Sequence, residues 1–87
     1  MKIEVTKEEI EKGIRNDAYK DPIALAVTRT VGREASVYPN WRTPCMVYFD
    51  INNHTLKLPL PQFVNRLALA YDAGSEMEPF EFELNTE

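Results

Sequence analysis

Phe80-Glu81-Phe82-Glu83-Leu84 alternates strictly between apolar and acidic side chains. Period-two alternation sends successive side chains to opposite faces of a strand. Two phenylalanines and a leucine therefore share a core face, while Glu81 and Glu83 share the outer one. The segment reads as a last strand that closes a small core behind an acidic surface. The surrounding stretch strengthens that reading: from Leu67 to Glu87 there is no Lys or Arg, and six acids occur, Asp72, Glu76, Glu78, Glu81, Glu83 and Glu87.

Working back from this strand, Phe63, Leu67, Ala70 and Tyr71 recur at helical spacing between Pro61 and Gly74, which predicts a helix with Gly74 as its stop. Before it lies a hairpin whose pattern fixes its own register. With Asn52-Asn53 as a two-residue turn, Ile51 faces His54, Phe49 faces Leu56 and Val47 faces Leu58. Asp50 and Thr55, and Tyr48 and Lys57, pair on the other face. Asn tolerates the positive φ such a turn needs, and a slip of one residue would expose every aliphatic side chain. Glu34 to Tyr38 predicts a further strand with Ala35 and Val37 on one face.

The amino-terminal half carries two helix starts. Thr6 and Glu9 have capping-box spacing, with Val5 and Ile10 at the staple positions. Ile10 and Ile14 are four apart and predict a shared core face, with Gly13 near the end. Asp21-Pro22 is the second start, an N-cap followed by proline at the first helical position. Ile23 to Val27 is apolar on every side, so this helix is expected to be enclosed, and Gly32 to stop it. Lys2 to Val5 predicts a short first strand, and residues 15–20 a connection.

The 87 residues then form a single domain, 1–87, in the order β-α-α-β-β-β-α-β. The expected fold class is α+β, a small, mostly antiparallel sheet of four to five strands covered on one face by three helices. Apolar residues make up 44% and aromatics number nine, enough for a core in a chain of this size.

Net charge is −4, so direct binding of nucleic acid is not expected, since that needs a basic face to displace counterions. The charge is segregated, at +3 over residues 13–66 and −6 over residues 67–87. No leader and no membrane-length apolar run is seen, so the expected location is the cytoplasm. The lone cysteine, Cys45, excludes an intrachain disulfide and reads as a buried small hydrophobe. His54 is the only histidine. The hairpin register puts it roughly 25–30 Å from Cys45, beyond reach for a catalytic pair. One Cys and one His do not supply a zinc site, and three scattered glycines make no phosphate loop. No catalytic residue, metal or cofactor is therefore assigned, and the protein is not expected to be an enzyme.

Two clusters remain. Arg29, Arg33, Tyr38, Trp41 and Arg42 lie close in sequence, and Arg15 and Tyr19 precede the Pro22 helix start. Guanidinium groups fork onto phosphates and aromatic faces stack on bases, so together they suggest a pocket for a nucleotide-like ligand. The commoner reading of the same residues is half-buried packing with a wet rim of arginine. The second cluster is Glu78, Glu81 and Glu83, a surface for a partner protein, or simply a solubilising strand edge.

Val5-Thr6, Gly13 through Asp17, Pro22-Ile23-Ala24-Leu25-Ala26, Leu58-Pro59, Tyr71 through Gly74 and the Pro79-Phe80-x-Phe82-Glu83-Leu84 ending together resemble a family of short bacteriophage and prophage proteins of uncharacterised activity. The likeness spans nearly the whole chain. Members of that family often carry a cysteine near the position of Pro22; this chain has Ala18 and Asp21 there, which removes a thiol-based role. The resemblance implies a viral origin and a host cytoplasmic setting. The functional expectation is a non-catalytic phage-derived protein that binds a host protein, inhibiting a host process such as defence. The alternative is a small-molecule binder that sequesters a nucleotide-like signal. A small core and an exposed sheet edge favour a homo-oligomer, with a homodimer expected.

Overall fold

The computed structural model describes residues 1–40 and 45–85. Its elements in chain order are β1 (Lys2–Val5), α1 (Lys7–Lys12), α2 (Pro22–Val31), β2 (Ala35–Tyr38), β3 (Met46–Ile51), β4 (His54–Pro59), α3 (Gln62–Asp72) and β5 (Phe80–Glu83). The fold is α+β with antiparallel sheets.

The expected single sheet is instead two. β1 pairs only with β5, and β2, β3 and β4 form a separate three-stranded meander. The division follows from α2. Ile23, Ala24, Ala26 and Val27 are fully buried, and the helix packs on β1, β2 and α1 alike. A helix apolar on most sides needs more than one wall. Here α2 meets a strand of each sheet, so the helices do not simply cover one face of one sheet.

In the smaller sheet Ile3 lies opposite Phe82 and Val5 opposite Phe80. Reciprocal bonds between the Met1 and Leu84 backbones, at 3.0 and 2.7 Å, extend the ladder by a step. Phe82 and Leu84 are buried, Phe80 partly so, and Glu81 and Glu83 face out. In the larger sheet Val47 pairs with Leu58, Phe49 with Leu56 and Ile51 with His54, the register the sequence predicts. Asn52 and Asn53 hold φ of 52° and 65°, the left-handed pair that a tight hairpin turn demands.

The helix ends obey their local signals. Thr6 caps α1, its amide and hydroxyl donating to the Glu9 carboxylate at 3.1 and 2.8 Å. Asp21 Oδ1 accepts the Ile23 amide at 2.8 Å. Gly32 stops α2 with φ 74°.

Two core assignments need correction. Ile14 is half exposed rather than on a core face with Ile10, because α1 ends at Lys12 and Gly13 turns the chain into an extended conformation. In α3 the buried face is Val64, Asn65, Ala68 and Tyr71, whereas Phe63 and Ala70 are exposed. On that face Asn65 holds the chain just past β2 through its amide group. Its Oδ1 accepts the Asn40 amide at 3.1 Å, and its Nδ2 donates to the Asn40 carbonyl at 2.7 Å. Phe63 keeps an edge contact with Phe80.

The connection over residues 13–21 is ordered by its own bonds. Ile14 N–H donates to the Lys20 carbonyl, Asp21 N–H to that of Asp17, and Val37 N–H to that of Ala18. The last of these covers part of the outer edge of β2. Among the described residues, no helix is long and apolar enough to cross a membrane.

Candidate functional site

The arginines expected in one pocket are dispersed by bonds that hold the fold. Arg29 donates through Nε and Nη2 to Glu9 and, at 2.7 Å, to the Glu4 carbonyl. It thus joins α2 to the cap of α1 and to β1. Arg15 donates to the Tyr71 carbonyl and, at 2.9 Å, to that of Ser75. Its guanidinium lies 4.3 Å from the centre of the Tyr71 ring. Carbonyls at a helix carboxyl end lack internal partners and favour a cation, so Arg15 closes the end of α3. Trp41 and Arg42 lie outside the described residues.

Tyr19, Arg33 and Tyr38 do come together. With Tyr48, Asp50 and Thr55 they line a groove of about 700 Å³ beside the three-stranded sheet. Strand alternation explains the lining: side chains of Tyr38, Tyr48, Asp50 and Thr55 project from the face opposite the buried Val37, Val47 and Phe49. Tyr19 is brought in by the ordered connection. Tyr38 and Tyr48 meet edge to face, with ring centres 5.6 Å apart. Contact with the Tyr38 hydroxyl raises the Tyr19 phenol above its ordinary pKa, and Glu34 and Asp50 add to the shift. Thr55 Oγ1 donates to Asp50 Oδ1 at 2.6 Å, fixing that carboxylate at the rim. Past it, a further cavity of about 510 Å³ runs to the Asn52–Asn53 turn and shares Arg33, Asp50 and Thr55. Among the described residues the groove therefore offers flat aromatic surface, one guanidinium and two acids, Glu34 and Asp50.

The other expected surface is partly neutralised from within. Glu81 and Glu83 stand on the outer face of β5, but Lys2 reaches Glu81 at 2.8 Å and the Met1 amino group reaches Glu83 at 3.3 Å. Glu78 is exposed. Lys2 is exposed, and its hydrogen bond to Glu81 raises its pKa.

Cys45 is fully buried. Burial, with the charges of Asp21 and Asp72, pushes its thiol up to about 12, so it is no nucleophile near neutrality. His54 is exposed beside the turn, at the other end of the hairpin. Among the described residues, no group of His, Cys, Asp or Glu is gathered so as to hold a metal ion.

Sequence reasoning missed Tyr48, Asp50 and Thr55 as site residues. Part of the signal was present, because the hairpin register already placed them together on the polar face; that Tyr38 stands beside them comes from the pairing of β2 with β3. Comparison with known proteins finds no matching family, no matching curated relative and no matching solved structure.

Proposed function

We propose that this chain is a non-catalytic binding protein of phage origin that engages a host protein through the tyrosine-lined groove. The supporting observation is the convergence of Tyr19, Tyr38 and Tyr48, from the connection, β2 and β3, on one open cavity. Tyrosine presents a large amphipathic surface at small entropic cost and is enriched where proteins meet. The partner is a protein with a basic patch. Glu34 and Asp50 rim the groove, and a net charge of −4 repels nucleic acid. Inhibition of a host process follows from occupancy of the partner's own binding surface.

The nucleotide-sequestering alternative has less support. The groove has the volume for a nucleotide, but Arg15 and Arg29 bond elsewhere, and among the described residues Arg33 is the one guanidinium there, facing two acids. Homodimer formation has a route in the two-stranded sheet, where β1 and β5 each keep one edge unpaired among the described residues.

The test is affinity capture from host lysate, read by mass spectrometry, with wild type, Tyr38→Ala/Tyr48→Ala and Glu81→Lys/Glu83→Lys side by side. The groove reading expects a partner retained by wild type and the charge-reversed protein and lost from the tyrosine variant. Loss from the charge-reversed protein alone moves the interface to β5. Thermal shift by a nucleotide, abolished in Arg33→Ala, favours the small-molecule reading instead.

A further inference from the structure

Tyr38 also lines a smaller cavity of about 280 Å³, shared with Asp17, Asp21, Val37, Pro39 and Asp72. Three carboxylates thus meet around one space, from the connection, the start of α2 and the end of α3. Asp21 is 2% exposed, and while its Oδ1 caps α2, its Oδ2 has no hydrogen-bond partner. Asp17 Oδ1 accepts the amides of Tyr19 and Lys20 at 3.0 and 3.1 Å, and Asp72 Oδ1 accepts that of Asn16 at 3.0 Å. Each aspartate therefore commits one oxygen to backbone, and the buried Oδ2 of Asp21 is left without a partner. No Lys or Arg lines the cavity among the described residues.

Capping does not explain the charge. Asn, Ser or Thr caps a helix about as well as Asp without burying an anion. A buried carboxylate with an unmatched oxygen is unfavourable unless something supplies donors. The Ile23 and Ala24 amides favour the ionised carboxyl, but no donor bonded to Oδ2 is found among the described residues, and the cavity provides room for one.

We infer that this cavity binds a primary ammonium group carried on a short alkyl chain, with Asp21 Oδ2 accepting one of its N–H donors and Asp17 and Asp72 adding negative charge on the cavity wall. The walls select this chemistry over a metal ion. The carboxylates are not gathered into a metal-binding group, and hard cations need several oxygens at close range. Val37, Tyr38 and Pro39 offer apolar surface to methylenes, and the Tyr38 ring a face to the charge. The site stands apart from the groove reading and does not depend on it.

The ammonium requires an ionised Asp21. Burial, with the charge of Asp72, raises that carboxyl to about 6. The groups facing it are Asp72 from α3, Asp17 from the connection, Tyr38 from β2 and Cys45 before β3. Binding therefore weakens about tenfold between pH 7 and pH 5, as the ionised fraction of Asp21 falls.

The probe is n-butylammonium chloride, titrated into the full chain against matched sodium chloride and followed by amide NMR. A lysine peptide and its acetyl-lysine counterpart run in parallel. The expected result is saturable shifts at Asn16, Asp21 and Asp72, about tenfold weaker at pH 5. Asp21→Asn, which keeps a helix cap, abolishes them, and Asp72→Asn weakens them. Binding of butylammonium identifies a free amine as sufficient. Binding only of the unacetylated peptide assigns the group to a protein side chain. No saturable shift with either probe, shifts unchanged in Asp21→Asn, or calcium outcompeting butylammonium at the same residues overturns the inference.

Discussion

Arg29 grips Glu9 with two nitrogens, Nε at 3.2 Å from Oε2 and Nη2 at 3.2 Å from Oε1, while Thr6 donates twice to the same carboxylate. One acid thereby caps α1 and ties it to α2. Burial pushes the Glu9 carboxyl upward, but the Thr6 amide, Arg29 and the Thr6 hydroxyl together outweigh it, and the net shift is downward. A depressed acid stabilises the fold above its unfolded value of 4.5 and loses that contribution as pH falls through its folded value. Glu9→Gln should therefore lower stability by about 1–2 kcal/mol at pH 7, allowing for the half-exposed arginine. The difference from wild type should shrink in urea melts as pH falls from 4.5 through the lower, folded value. An equal deficit at pH 3 and pH 7 would show that charge plays no part.

Gly13 is needed for space. Its φ is −65°, open to any residue, but a Cβ there would stand 2.5 Å from Pro22 Cγ and 2.9 Å from the Tyr71 hydroxyl. Gly13→Ala should destabilise by about 1–3 kcal/mol through overpacking. At Gly32, where φ is 74° and nothing lies within 4 Å, alanine instead meets backbone strain of about 1 kcal/mol. Repacking distinguishes the two: Tyr71→Phe should recover part of the Gly13→Ala loss and none of the Gly32→Ala loss. Identical behaviour in the two backgrounds would refute the steric account.

What the sequence made legible was local. The hairpin register came from alternation around Asn52-Asn53, and the helix ends from Thr6, Asp21 and Gly32. The partner of β1 was not legible, since its alternation suits pairing with β5 or with an edge of the larger sheet equally well. Nor were the duties of Arg29 and Arg15. Each matched the chemistry of an anion site, and each is taken by acceptors distant in sequence. The Asp17–Asp21–Asp72 cavity was hidden for the opposite reason. Capping alone accounted for Asp21, so nothing local pointed to its unmatched oxygen or to Asp72 beside it.

Phe82 tests the closing strand. It is 5% exposed, opposite Ile3, with its ring centre 6.0 Å from that of Phe80. Phe82→Ala should remove about 3–5 kcal/mol. Total stability at this length is on the order of 4–13 kcal/mol, so the variant should be largely unfolded or melt far below wild type by circular dichroism. A melting point within a few degrees of wild type would make β5 peripheral.

Asp21 gives the opposite sign from Glu9. The folded protein keeps its proton up to about pH 6, whereas the unfolded chain releases it near 3.8. Between those values the native state binds more protons, so stability falls as pH rises, and the full penalty is present above 6. A difference of about two pKa units corresponds to roughly 3 kcal/mol at most. Asp21→Asn keeps the cap and removes the charge, so it should be about 1–3 kcal/mol more stable than wild type at pH 8. The advantage should close as pH falls toward 4, and urea melts across that range measure it. A gain in stability accompanied by loss of butylammonium binding is the pattern of a residue kept for a ligand against the interest of the fold. Parallel pH profiles for the two proteins would mean that Asp21 is already compensated, and the reason for a cation in that cavity would disappear.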